Sequence, residues 1–247
     1  MISRTGIIGA SQVAGALGCD PWQTPEETRQ AILTGAWEDP PADPQNDRYM
    51  GRLLEPVAIV ALQDELRCRW NPQATAAPWA AGSIAHPFLP WLRVTPDSLV
   101  TCGRLRGLGE CKCPRRIDGE QWTDPDESFP LSDLTRWGVP LHYAHQGQAQ
   151  LGVLRAAGWP VEFVWFAVFG GARRFDVWVL EHDETAWTDM LERLTGWYER
   201  HVRGGEPCAS QTRADALRRH RVDPVKRLNV SPATEWAIRA RCALMDD

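Results

Sequence analysis

The chain has 247 residues, of which 43% are hydrophobic and 24% are charged, and its formal net charge at pH 7 is -5. This size fits one sizeable globular domain with room for an appendage at most. The sequence contains neither an apolar run long enough to span a bilayer nor a signal-peptide pattern at its start. We therefore expect a soluble, cytoplasmic protein with no membrane partner. The acidic balance argues against binding nucleic acid through bulk charge alone.

Cysteine and lysine usage narrows the kinds of functional site that the chain could contain. The 7 cysteines have no paired Cys-x-x-Cys spacing, which argues against a disulfide framework and a cysteine-bound metal. Only Lys112 and Lys226 are lysines among the 27 basic residues, so Lys112 stands out. The region from Arg213 to Arg241 is basic and is compatible with either a phosphate-binding surface or a solvated helix face.

The first third of the chain predicts three helices. A short helix should begin at Ser11, as its N-cap, and stop at Gly18. A second should begin after Thr24, whose Thr-Pro-Glu-Glu context is typical of a capping box, and end at Gly35. The proline-rich residues 39–47 predict a loop, and a third helix should run from about Pro56 to Leu66 with Glu55 at its N-terminal edge.

The rest of the chain mixes strands and helices. Residues 91–95 and 105–113 should form a hairpin around Gly103, and residues 161–168 and 175–180 a second hairpin. Helices should cover about 141–157 and 184–202. This order predicts an α/β (α+β) fold, with a central sheet flanked by helices. We expect a main domain over residues 1–207 and a C-terminal extension over 208–247.

Two carboxylates and the rare lysine fall on adjoining strands. Because alternate residues of a strand share a face, Glu110 and Lys112 should point toward Asp97, whereas Cys111 and Cys113 point to an apolar side. Converging carboxylates favour a hard cation such as Mg²⁺ or Mn²⁺, which supports phosphodiester hydrolysis. An exposed, charged strand edge is the alternative explanation of this pattern.

This Asp…Glu-x-Lys pattern resembles the PD-(D/E)XK nuclease motif. The flanking segments resemble one branch of that superfamily, the YqaJ-type viral recombinases, which is the family of the phage lambda exonuclease. The likeness covers roughly residues 4–207, and its segments are Arg4–Ser11, Gly51–Pro56, Gly109–Pro114 and Tyr143–Leu151. It implies a restriction-endonuclease-like core with a mixed sheet.

The resemblance also assigns roles around the metal. Asp97 and Glu110 would bind the cation, with the Cys111 carbonyl completing its coordination, and Lys112 would be the catalytic lysine. Two supporting residues complete the site: Glu55, which would bind metal directly or through water, and Gln146, which would contact the water or the scissile phosphate. Glu55 could instead sit in a solvated first turn, and Pro56 leaves its alignment open.

Further residues are assigned to DNA. In the resembling family, Arg4 and Ser11 would hold the 5′-phosphate of a DNA end, although Ser11 could be a plain N-cap. Trp22 could stack on an unpaired base. The remaining DNA-contact candidates are Tyr143, Arg115 and Arg116. The polar helix face of Tyr143, Gln146 and Gln150 could equally face solvent, and we expect His142 and His145 to be surface residues.

The implied function is a deoxyribonuclease that uses Mg²⁺, with Mn²⁺ as a substitute and two ions per site. The favoured form is a 5′→3′ exonuclease that resects double-stranded DNA ends for phage recombination, assembles as a ring-shaped trimer and works with a single-strand annealing protein. One alternative is a structure-specific or general endonuclease of the same superfamily. Another is a catalytically inactive DNA-binding adaptor.

Overall fold

The computed structural model describes residues 5–35, 42–43, 45–114, 122–126, 133–170 and 174–211. The chain divides into two compact units, Met1–Ala209 and Ser210–Asp247, and the expected boundary at residue 207 stays a prediction. The described helices are α1 (Val13–Ala16), α2 (Pro25–Thr34), α3 (Asp47–Arg69), α4 (Leu141–Ala156) and α5 (Glu184–Trp197). The strands are β1 (Ile8–Gly9), β2 (Thr75–Pro78), β3 (Ile84–Ala85), β4 (Leu92–Val94), β5 (Ser98–Cys102), β6 (Leu105–Lys112), β7 (Phe163–Gly170) and β8 (Arg174–Glu181).

A five-stranded mixed sheet forms the centre of the first unit, in the order β2-β5-β6-β7-β8. Strands β6 and β7 are parallel, and the other neighbours are antiparallel. Alternate side chains enter opposite cores: Leu108 and Phe166 belong to the one that contains α4 and α5 residues, whereas Trp165 joins Leu62 of α3 in the other. The predicted fold class, a mixed sheet flanked by helices, is confirmed.

The predicted hairpin between residues 91–95 and 105–113 is wrong, because β6 pairs with β5 and not with β4. Strand β5 pairs with β6 across a turn in which Gly103 has a φ of 65°. Strand β4 lies in a separate three-stranded sheet, parallel to β1 and antiparallel to β3. Because Ser98 pairs with Gly109, Asp97 lies one step beyond the ladder, beside the end of β6 that carries Glu110.

Helix α3 is longer than the sequence pattern predicts, since it begins at Asp47 rather than at Pro56. The Asn46 side chain caps it by accepting hydrogen bonds from the backbone N–H groups of Arg48 (3.0 Å) and Tyr49 (3.2 Å). Pro56 lies inside the helix and removes one backbone donor. Glu55 therefore lies two turns into α3, which removes its interpretation as a first-turn residue.

The other helix boundaries show one confirmed cap and two corrections. Thr24 and Glu27 form the predicted capping box of α2. Ser11 is not an N-cap, because Ala10–Gln12 is a 3-10 helix that follows Gly9 and leads directly into α1. At the other end, α5 gives way to a π-helix, Tyr198–Arg203.

Two general expectations concern cysteines and membranes. Among the described cysteines, Cys19, Cys68, Cys102, Cys111 and Cys113 are free thiols. Of the helices in the described ranges, none is long and apolar enough to cross a membrane.

Candidate active site

Glu110 of β6 is the centre of a buried hydrogen-bond network. Its side chain is in the interior, at 4% relative exposure, and both of its oxygens accept hydrogen bonds. Oε1 accepts from Lys112 Nζ at 2.9 Å and from Gln146 Nε2, and Oε2 accepts from Gln150 Nε2 at 2.7 Å. The alternation of β6 places Glu110 and Lys112 on the same face, where α4 supplies both glutamines.

Asp97 joins this network from the turn before β5. Its Oδ2 accepts a 2.7 Å hydrogen bond from the Cys111 backbone N–H. Burial, together with the nearby charge of Glu110, raises the pKa of Asp97 to about 8. A carboxyl group in this position ionises most easily when a cation lies beside it. Asp97 and Glu110 thus supply an oxygen donor set that fits Mg²⁺ or Mn²⁺.

Glu55 approaches the same carboxylates from α3. Burial and the charge of Glu110 raise the pKa of Glu55, and its backbone carbonyl accepts a weak hydrogen bond from the Cys111 thiol at 3.8 Å. Within the described ranges, no group of three or more His, Cys, Asp and Glu side chains is arranged to hold a metal ion. Glu55 therefore flanks the Asp97–Glu110 pair, close enough for its charge to interact with that of Glu110.

Lys112 is fixed in place by its surroundings. Its Nζ donates hydrogen bonds of 2.9 Å to Glu110 Oε1 and to Gln146 Oε1, and it lies 4.6 Å from the centre of the Tyr143 ring. Burial is the largest single influence and by itself would lower the pKa of Lys112, but Glu110, Tyr143 and Asp97 together outweigh it and the pKa is raised. The ammonium group therefore stays charged and has one of its three donors directed elsewhere.

The polar face of α4 is buried rather than solvated. Gln146 and Gln150 are 8% and 1% exposed, and both bind Glu110. The expectation that His142 and His145 lie on the surface is wrong, since both are buried. Burial lowers the pKa of His142 to about 4, so its imidazole is neutral at physiological pH.

An open cleft of about 670 Å³ leads to this network. Its wall includes residues predicted to bind DNA or to act in catalysis, namely Ser11, Trp22, Lys112, Tyr143 and Gln146, and it also includes Arg48. Trp22 is 66% exposed, and its ring meets the His142 ring edge-on at 4.7 Å. The structure thus brings Ser11, Trp22 and Tyr143 to the space above Lys112.

Three predicted DNA contacts, Arg4, Arg115 and Arg116, lie outside the described residues. Two residues of the site were not selected from the sequence, namely Gln150 and Arg48. Gln150 follows Gln146 by one helical turn, a spacing that indicates a shared face. The Asn46-Asp47 cap signal would have placed Arg48 on a helix instead of in a loop.

Comparisons with known proteins identify the family of the chain. The family model described as a YqaJ-like viral recombinase domain matches residues 2–158. The chain belongs to the YqaJ-like viral recombinase family. The resemblance seen in the sequence is therefore confirmed. The Bacillus subtilis (strain 168) protein named "Uncharacterized protein YqaJ" is 26% identical over 211 residues, which are 85% of this chain and 57% of that protein. The chain thus spans little more than half the length of this relative.

Solved structures support the fold of this YqaJ-like chain. The alkaline exonuclease LHK-Exo of Laribacter hongkongensis superposes with a TM-score of 0.54 at 20% identity, over 81% of this chain and 92% of that one. The structure of LHK-Exo in complex with dAMP gives the same values. At this identity the likeness establishes a common fold.

Proposed function

We propose that this YqaJ-like protein is a metal-dependent deoxyribonuclease, specifically a 5′→3′ exonuclease that acts on double-stranded DNA and leaves 3′ single-stranded overhangs for phage homologous recombination. The observation that carries this proposal is the buried contact of Lys112 with Glu110 and Gln146, beside Asp97, at the base of an open cleft. The shared fold with an exonuclease, one of whose structures holds dAMP, supports the same chemistry.

The proposed cofactor is Mg²⁺, with Mn²⁺ as a substitute and two ions per site. Asp97, Glu110 and the Cys111 carbonyl would hold the metal, with Glu55 reaching it directly or through water. When bound, such a cation polarises the phosphodiester and lowers the pKa of a coordinated water. Asp97 is partly buried and Glu110 is buried, and a divalent ion would offset the repulsion between their negative charges.

Lys112 has the position of a catalytic lysine. Glu110 and Gln146 accept two of its hydrogen bonds, and the third N–H would donate to the attacking water or a phosphate oxygen. The Tyr143 ring packs against the ammonium and restricts its motion. Gln146 accepts a hydrogen bond from Lys112 and lines the cleft, and its amide would contact the water or the scissile phosphate.

End recognition would take place farther along the cleft. Ser11 and Arg4 would hold the 5′-phosphate, Trp22 would stack on the terminal base, and Arg115 and Arg116 would bind nearby phosphates. Ser11 lies in the cleft that contains Lys112, which suits a reaction close to a strand end. A ring-shaped trimer, a single-strand annealing partner and a location in the bacterial host cytoplasm complete the proposal.

Digestion of linear duplex DNA, labelled separately at its 5′ and 3′ ends, tests the activity. We expect Mg²⁺-dependent release from 5′ ends, a closed circle left intact, and a loss of at least a hundredfold in Lys112→Met. Arg106→Met, an exposed position on the same strand, is the matched control and should digest at the wild-type rate. Internal cutting of the circle would favour the endonuclease alternative.

Two further comparisons separate the remaining alternatives. Ser11→Ala should slow digestion of 5′-phosphorylated ends much more than that of 5′-hydroxyl ends, and equal losses would contradict end recognition at Ser11. An inactive adaptor would bind Mn²⁺ no better than Asp97→Ala does. We expect the wild-type protein to bind Mn²⁺ clearly more tightly than this variant.

A further inference from the structure

One face of α3 connects the mouth of the cleft with the carboxylates. Arg48, Gly51 and Glu55 are spaced three and four residues apart, and Arg52 lies one turn after Arg48, so these four share one side of the helix. Arg48 lines the cleft. Arg52 acts on the charge of Glu55, whose pKa it lowers against the larger effects of burial and Glu110. The order along this face is therefore two guanidinium groups followed by the flanking carboxylate.

Packing within the protein does not explain why residue 51 is a glycine. It lies inside α3, where glycine is costly because of its backbone freedom. A Cβ added at Gly51 would meet no atom within 4 Å, and its φ is not in the left-handed region. Neither a close helix contact nor a turn therefore requires glycine here. A helix surface without a side chain, between two arginines, leaves room for another molecule to approach the backbone closely.

The charges near this face favour an anion. Arg48 and Arg52 are exposed and one turn apart, so their two guanidinium groups place positive charge on one face of α3. Within the described ranges, Arg48 has no ion pair. The two acids of the cleft wall each accept a hydrogen bond from a backbone N–H group: Asp20 Oδ1 accepts from Trp22 at 2.7 Å, and Glu27 Oε2 accepts from Thr24 at 3.0 Å.

We propose that Arg48, Gly51 and Arg52 form a track for the sugar–phosphate backbone of the DNA strand that enters the cleft. The two guanidinium groups would bind successive phosphates, and the strand would pass over Gly51 on its way to Lys112. This inference rests on the proposed function and adds to it a second phosphate-binding surface, on α3, apart from the end-binding residues.

Equilibrium binding of a labelled 5′-phosphorylated duplex to the full chain, in Ca²⁺ to limit cleavage, tests the track. Gly51→Leu fills the open face and should weaken binding at least tenfold. Gly196→Leu is the matched control, because Gly196 lies on α5 where an added Cβ also meets nothing within 4 Å. We expect wild-type affinity from this control and an undiminished thermal unfolding midpoint from both variants.

Salt dependence gives an independent measurement. Arg48→Gln should reduce the slope of log affinity against log salt by about one, since each phosphate contact contributes about that much. Arg193→Gln, an exposed arginine of α5, should leave the slope unchanged. Wild-type affinity in Gly51→Leu, or an unaltered slope in Arg48→Gln, would overturn the track.

The outcome for the wild-type protein separates this inference from the proposed function. If the wild type binds and digests DNA while Gly51→Leu matches Gly196→Leu, the track fails and the nuclease proposal stands. If the wild type binds DNA without digesting it, the nuclease proposal fails, and the binding measurements still decide the track. A wild type that neither binds nor digests DNA would overturn both.

Discussion

Gln150 provides a sharp test of the buried network, through the substitution Gln150→Met. This change keeps the length of the side chain and removes the 2.7 Å hydrogen bond to Glu110 Oε2. Among the described residues no other hydrogen bond reaches that oxygen. A hydrogen bond to a charged group contributes about 1.5–3 kcal/mol to the free energy of unfolding.

A second effect opposes this loss. Gln150 Oε1 is buried and lacks a partner among the described residues, so its removal recovers roughly 1 kcal/mol. The net destabilisation of the metal-free protein should therefore be about 0.5–2 kcal/mol at pH 7. Because Gln150 orients a proposed metal ligand, Mn²⁺ affinity should also fall about tenfold.

Urea unfolding in chelator and Mn²⁺ titration measure these two quantities. Gln148→Met is the matched control, since Gln148 lies on the same helix, is fully buried, and bonds the Glu181 carbonyl at 2.6 Å instead of Glu110. It should be destabilised without a change in Mn²⁺ affinity. An unchanged free energy of unfolding in Gln150→Met, or equal losses of Mn²⁺ affinity in both variants, would refute the reasoning.

Three further predictions concern titration and a buried ion pair. Because the pKa of Asp97 is raised to about 8, its contribution to stability is lost as pH rises through that value. In chelator, the melting temperature of Asp97→Asn should fall less between pH 6 and 9 than that of the wild-type protein, and equal slopes would contradict this. Because the pKa of His142 is lowered to about 4, this residue should reduce the free energy of unfolding as pH falls below about 6.5. The urea midpoint should therefore change less between pH 7 and 5 in His142→Gln than in the wild-type protein, and parallel profiles would exclude this cause. Arg29→Met removes the cationic partner of buried Glu26, 3.0 Å away, and should cost about 3 kcal/mol in urea unfolding. Adding Glu26→Gln should recover part of this loss, and no recovery would argue against the pair.

Local signals in the sequence were sufficient for several parts of the molecule. The capping box at Thr24 and Glu27 placed the start of α2 because its hydrogen bonds join residues three apart. The alternation of side chains along β6 put Glu110 and Lys112 on one face, because alternation also depends only on residues that are close in sequence. Family membership also follows from the sequence, because short motifs keep their order and spacing along the chain.

Contacts between distant segments had to come from the tertiary structure. Residues 91–95 have a strand pattern, but that pattern does not specify whether β4 pairs with β6 or with β1. The α4 face has a polar pattern typical of solvent exposure, yet Glu110 and Lys112 bury it through hydrogen bonds that span 34 to 40 residues.

The residue types of the candidate site, several local elements and the family therefore follow from the sequence alone. The tertiary structure decided which carboxylate is held by two glutamines, and that Ser11, Arg48 and Lys112 line one cleft. The physical reason is that helix caps and strand alternation depend on neighbours in sequence. The burial of Gln150 depends on segments that are brought together only when the chain folds.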